Sequence, residues 1–96
     1  MTIKDVVALT WVRNRKNGNY VSVHYEHEPW FYLIEKAGHR WVVGRIRFRN
    51  KKLAKWEPIP GAPERCERLL QAQAIAATDY EDHCIPAMEA SWTAGK

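Results

Sequence analysis

Between Arg40 and Lys55 the chain reads RWVVGRIRFRNKKLAK, a stretch that holds no acidic residue. Arg45, Arg47 and Arg49 stand at alternate positions, and Lys51, Lys52 and Lys55 follow within a few residues. Guanidinium forks match phosphate oxygens two at a time, and an indole such as Trp41 offers a flat ring on which an unpaired base can stack. The chemistry this spacing could perform is therefore phosphate binding. The competing reading is a solvated face whose arginines pair across strands with Glu26 and Glu35, with the lysines discouraging edge-to-edge aggregation. The stretch matches no RNP, helix-turn-helix or zinc-finger pattern.

Other chemistries find less support. His24 and His27 are three apart on an expected strand, so they point to opposite faces and cannot share a metal. His83 and Cys84 are adjacent on an expected helix and diverge by ~100°. No spacing fits a structural zinc site. Pairings such as Cys66 with His83, or Cys84 with His24, lack a strand-turn-helix elbow and an orienting acid. Gly18, Gly38, Gly44 and Gly61 sit where turns or bulges need them, and none belongs to a phosphate loop. The expectation is a non-enzymatic protein with no catalytic residue, no metal and no cofactor.

The basic stretch needs a strand to carry it. Odd positions place Trp41, Val43, Arg45, Arg47 and Arg49 on one face, and even positions place Val42, Ile46 and Phe48 on the other. With the even face towards a core, the arginines face solvent. Upstream, VVALTWVRNR is a first strand, with Val7, Leu9 and Trp11 on one face. Asn17-Gly18 makes a hairpin turn, because both residues accept positive φ cheaply. Tyr20 to His27 is the second strand, with Val21, Val23 and Tyr25 inward and Ser22, His24 and Glu26 outward. Glu28-Pro29 turns the chain into WFYLIEK, which is apolar on both faces and so expected at the centre of the sheet. Leu53 to Pro58 is a candidate fifth strand, and Pro58-Ile59-Pro60-Gly61 ends the β portion.

A helix is expected from about residue 63 to 84, with Pro63 in its first turn and Pro86 as its stop. Cys66, Leu69, Leu70, Gln73, Ala76, Ala77, Tyr80 and Cys84 form its buried stripe; Glu64, Arg68, Gln71, Asp79 and Asp82 lie opposite. The fold class is therefore α+β: an antiparallel meander of four to five strands with one C-terminal α-helix packed on one face. A single domain spans residues 1–86, its strands within 6–58, and residues 87–96 form a flexible tail.

Charge is distributed unevenly about a net of +4. Met1 to Lys55 carries twelve Lys/Arg against four Asp/Glu, or +8, and Trp56 to Lys96 carries three against seven, or −4. No run approaches the ~18 apolar residues of a membrane span. Cys66 and Cys84, placed near the two ends of one helix, lie roughly 27 Å apart at ~1.5 Å per residue, beyond disulfide reach. They are expected to be free thiols in a reducing cytoplasm.

Trp11, Gly18-x-Tyr20, the aromatic strand, Lys36-x-Gly38, Trp41-x-Val43 and the run Gln71-Ala72-Gln73-Ala74-Ile75-Ala76-Ala77-Thr78-Asp79-Tyr80-Glu81 together resemble small phage and prophage accessory proteins. The entry to the helix, Ala62-Pro63-Glu64-Arg65-Cys66-Glu67, departs from that pattern. The resemblance implies a phage-related origin and a non-enzymatic role. Two functions follow as expectations. One is contact with nucleic acid or a ribonucleoprotein through Arg45, Arg47, Arg49, Lys51, Lys52, Lys55 and Trp41. The other is docking on a host protein, as an anti-defence or anti-CRISPR type modulator would, through an exposed aromatic sheet face or the acidic helix side around Glu64, Glu67, Asp79, Glu81 and Asp82. A homodimer is compatible with either.

Overall fold

The computed structural model describes residues 9–23, 28–49 and 52–94. Five strands form one antiparallel sheet in chain order: β1 (Trp11–Arg13), β2 (Tyr20–Ser22), β3 (Trp30–Ala37), β4 (Arg40–Arg49) and β5 (Lys52–Pro58). This is the expected meander, fifth strand included, with the doubly apolar β3 at its centre. The chain then runs through 59–68 into α1 (Leu69–Asp79), a π-helical turn (Tyr80–Cys84) and α2 (Ile85–Ala94). The expected strand residues Val6–Ala8 and His24–His27 lie outside the described residues.

Local chemistry sets each reversal. Gly18 adopts φ +77°, a left-handed conformation that costs glycine little. The loop around it is held by Asn14 Oδ1 accepting from Lys16 N–H at 2.9 Å and Asn17 Oδ1 accepting from Asn19 N–H at 2.9 Å. Asn19 Oδ1 also accepts the Lys36 N–H at 3.0 Å, tying this turn to the far end of β3.

Both ends of the helix differ from expectation, each for a backbone reason. The start moves from about 63 to Leu69 because Cys66 is still extended. Its N–H donates to Trp41 O at 2.7 Å, and its carbonyl accepts the Trp41 N–H at 2.8 Å. This isolated bridge occupies the edge of β4 that β5 has left, so both backbone groups are satisfied by the sheet instead of a helix. Cys66 and Cys84 are therefore not two ends of one helix. At the other end the helix does not stop at Pro86 but continues to Ala94, so residues 87–94 are helical, not a loose tail. An interior proline removes a bond and crowds the carbonyl four residues back. Here the preceding turn is π-helical, with Ile85 N–H donating to Tyr80 O five residues earlier. That wider turn makes room for Pro86.

The helix covers one face of the sheet, as expected, but not the face that alternation favoured. Trp30, Tyr32 and Ile34 of β3 and Val43 of β4 form the core with Ile59, Cys66, Ala72, Ala76, Tyr80, Cys84 and Ile85. On β4 the covered side is the odd one. On β2 it carries Ser22, which is buried and accepts the Tyr32 N–H on its Oγ at 2.8 Å, so the expected outward position of Ser22 is reversed. On α1 the covered stripe is Ala72, Ala76 and Asp79, while Leu70, expected inside, is 76% exposed.

Candidate functional site

At the centre of the covered face lies a buried polar network. Register pairs Tyr32 with Arg45 and Trp30 with Arg47 across β3 and β4. Asp79 reaches down from α1 on the same buried stripe as Ala72 and Ala76, whose small side chains let the helix approach the sheet closely. Arg45 Nε–H donates to Asp79 Oδ2 at 2.9 Å, and Arg45 Nη2 donates to Asp79 Oδ1, forming a bidentate fork. Tyr32 O–H donates to Asp79 Oδ2 at 2.6 Å, and Trp30 Nε1–H donates to Tyr32 Oη at 2.8 Å. The Arg45 guanidinium stacks 4.4 Å from the Trp30 ring centroid. Arg45 is only 8% exposed and Asp79 4%.

These contacts fix the protonation chemistry. Burial by itself would lower the Arg45 pKa, but the hydrogen bonds and charge of Asp79 outweigh it and hold the guanidinium above its usual value. Burial, then the hydrogen bond to Asp79, raises the Tyr32 hydroxyl far above the ordinary tyrosine range. Tyr32 therefore remains a donor at any physiological pH. The network is a closed structural unit: a buried charge, its counter-charge and two further donors.

The structure takes Arg45 out of the expected phosphate-binding row. Arg45 points into the core, not to solvent, because Asp79 supplies the counter-charge that makes burial tolerable. Arg47 is exposed, but its Nε–H donates to Glu57 Oε1 and its guanidinium lies 4.5 Å from the Trp30 ring centroid. Arg45 and Arg47 pair with Asp79 and Glu57; the anticipated partner Glu26 lies outside the described residues. Lys55 is exposed. Lys51 and the side chains of Arg49 and Lys52 lie outside the described residues. Trp41 is half-buried: its ring meets Tyr20 edge-on at 5.9 Å, and Lys36 Nζ lies 5.9 Å from its centroid. The site residue that sequence reading misplaced is Asp79, expected on the exposed acidic side of the helix but buried against the sheet. Its signal was the spacing 72, 76, 79, which puts it on the same helical stripe as the two alanines.

The opposite face of the sheet has a different character. Val12, Val21 and Leu33 align with Gly44 and Pro58 in one row across all five strands, and Phe31, Ile46 and Trp56 form the next. Gly44 is required there. A Cβ at this position would meet Trp56 ring atoms at 2.2–2.5 Å, so the indole lies flat across the glycine. The Trp56 Nε1–H is buried without a hydrogen-bond partner among the described residues. Val12 is 58% exposed, and Val21, Phe31, Leu33, Val42 and Trp56 are half-buried. The helices and the 59–68 segment all lie on the far side; among the described residues no element covers this face.

Nucleophile and metal chemistry gain nothing from the fold. Cys66 and Cys84 are free and buried. Burial pushes the Cys84 thiol up to about 12, aided by the nearby charge of Glu28, and raises Cys66 as well, so neither is activated. Among the described residues no group of three His, Cys, Asp or Glu could hold a metal ion. A groove of about 550 Å³ separates the 59–63 segment from α1, lined by Ile59, Pro60, Ala74, Ile75, Asp82 and His83 among others. Among the described residues no helix is long and apolar enough to cross a membrane. No family model, curated protein or solved structure matches this chain.

Proposed function

We propose that this protein is a non-enzymatic docking protein of the phage accessory kind, and that it binds a protein partner through the sheet face opposite the helix. The observation that carries this reading is the apolar face that no element covers among the described residues, with Val12, Val21, Leu33, Val42 and Trp56 side by side. A contiguous apolar surface of this kind is retained on a soluble domain mainly where a partner covers it. Its flat indole, fixed over Gly44, is the kind of rigid aromatic anchor on which interfaces concentrate their binding energy.

Charge indicates what the partner looks like. The half of the chain that forms most of the sheet carries +8, so the complementary surface is an apolar patch bordered by acidic side chains. The same charge opposes face-to-face pairing of two copies. The nucleic-acid reading through Arg45, Arg47 and Arg49 is weakened, since Asp79 and Glu57 already occupy two of those guanidinium groups.

The test is capture from nuclease-treated host lysate by the wild-type chain and by a Val12→Glu/Leu33→Glu variant, with a Leu70→Glu variant as control. Partners held by wild type and by Leu70→Glu, lost by the face variant and resistant to high salt support the proposal. An identical captured set for all three chains overturns it. Light scattering on the isolated protein reads the remaining alternative: a dimer abolished by Val12→Glu/Leu33→Glu replaces the heterologous partner with a second copy.

A further inference from the structure

The meander gathers a second set of cations that lies outside the Arg40–Lys55 stretch. The 14–19 turn and the β3–β4 turn fall at the same end of the sheet, because β2 and β3 are antiparallel with Tyr20 opposite Ile34. Arg13 pairs with Tyr20, and Lys36 pairs with Trp41. Alternation therefore places Arg13, Tyr20, Lys36 and Trp41 on one side at this end. Arg15 and Lys16 project from the adjoining turn, which the Asn19–Lys36 hydrogen bond holds against β3. All four cations are exposed, and among the described residues none of them makes an ion pair. Between the cations stands the Tyr20–Trp41 edge-to-face pair, the aromatic surface of this end.

We infer that this end of the sheet binds single-stranded nucleic acid, with Arg13, Arg15, Lys16 and Lys36 on successive phosphates and a base against the Tyr20–Trp41 pair. Unpaired cations flanking half-buried rings are what a sequence-tolerant single-strand site requires. Duplex recognition would need an element that enters a groove, and this end presents two short turns. The site is separate from the apolar docking face, so either proposal can fail without the other.

Fluorescence anisotropy with a labelled oligo-dT 20-mer tests it, in 50 and 200 mM KCl, alongside a duplex of equal length. Four phosphate contacts on a single strand weaken binding about 50-fold over that salt range. Arg15→Glu/Lys16→Glu/Lys36→Glu is expected to abolish binding, since all three side chains are exposed and the fold does not depend on them. Arg47→Ala/Lys55→Ala is expected to change it less than twofold. Trp41→Phe is expected to weaken binding severalfold with the salt dependence unchanged. No binding at 50 mM KCl, binding unaffected by the triple variant, or loss on Arg47→Ala/Lys55→Ala instead would overturn the assignment. Duplex bound as tightly as single strand would overturn the single-stranded ligand.

Discussion

The two faces of the sheet solve the problem of a charged, aromatic strand in opposite ways. On the covered face Arg45 is taken inside and matched atom for atom by Asp79, with Tyr32 and Trp30 completing the network. On the open face the centre of the sheet carries no charge, and Trp56 is pressed onto Gly44 instead. Two residues from Arg45, Arg47 touches the same Trp30 ring but stays at the surface with Glu57. The difference lies in what the helix delivers. The α1 carboxylate of Asp79 arrives over Arg45, whereas Arg47 pairs with Glu57 of β5, so one guanidinium is part of the core and the other is a surface residue. Burying a charge is tolerable only where geometry supplies its partner; elsewhere apolar rings fill the sheet.

The largest effect should come from breaking the buried pair. Asp79→Ala leaves the Arg45 guanidinium without its counter-charge and is expected to cost about 3–5 kcal/mol in urea unfolding. That is a large share of the stability of a domain this size. Replacing both partners, as Arg45→Met/Asp79→Leu, is expected to recover most of the loss, because no uncompensated charge remains. A double variant as unstable as Asp79→Ala alone would mean that Tyr32 and Trp30 depend on the pair for their positions.

On the open face the matching test is Gly44→Ala. The added methyl has no room beneath the Trp56 indole, and the expected cost is about 1–3 kcal/mol. Adding Trp56→Leu to Gly44→Ala should restore part of it, since a smaller, flexible side chain can move aside. The open face should thus respond to volume where the covered face responds to charge.

Alkaline pH probes the covered face without mutation. Burial holds the Cys84 thiol up to about 12, against an ordinary value of 9.0. The neutral thiol is thus retained in the folded state while the unfolded chain ionises. This stabilisation is complete below pH 9 and is lost as pH rises from about 9 towards 12. The raised Tyr32 hydroxyl acts in the same direction from about pH 10 upward. Stability measured by urea unfolding should fall by about 1–2 kcal/mol between pH 9 and 10.5, at about 1.4 kcal/mol per unit for the thiol alone. Cys84→Ala should flatten the slope near pH 9. The smallest expected effect is at the surface pair: Arg47→Ala or Glu57→Ala should each shift stability by less than about 1 kcal/mol. A larger loss would place Arg47 with Arg45 as a structural residue.

Much of the fold was legible from local chemistry. Asn17-Gly18, Glu28-Pro29 and Pro58-Ile59-Pro60-Gly61 mark reversals and a boundary that the structure keeps, and β3 sits at the centre as its two apolar faces require. The ends of the helix were not legible. Cys66 spends its backbone bonds on Trp41, twenty-five residues earlier in the chain, and Pro86 is accommodated by a π-helical turn that no local propensity announces. Of the candidate site, the cations were legible as cations, but their surroundings were not.

The amino-acid sequence by itself determined the meander, the alternation along each strand and the uneven charge of the two halves, because these depend on neighbours a few residues apart. It did not determine which face of β4 would be covered. Val42, Ile46 and Phe48 on one side and Trp41 and Val43 on the other are both apolar enough to serve as a core. The tertiary structure decided between them, because only there does Asp79 on α1 meet Arg45 on β4. A carboxylate thirty-four residues away turns an apparent surface arginine into a core residue.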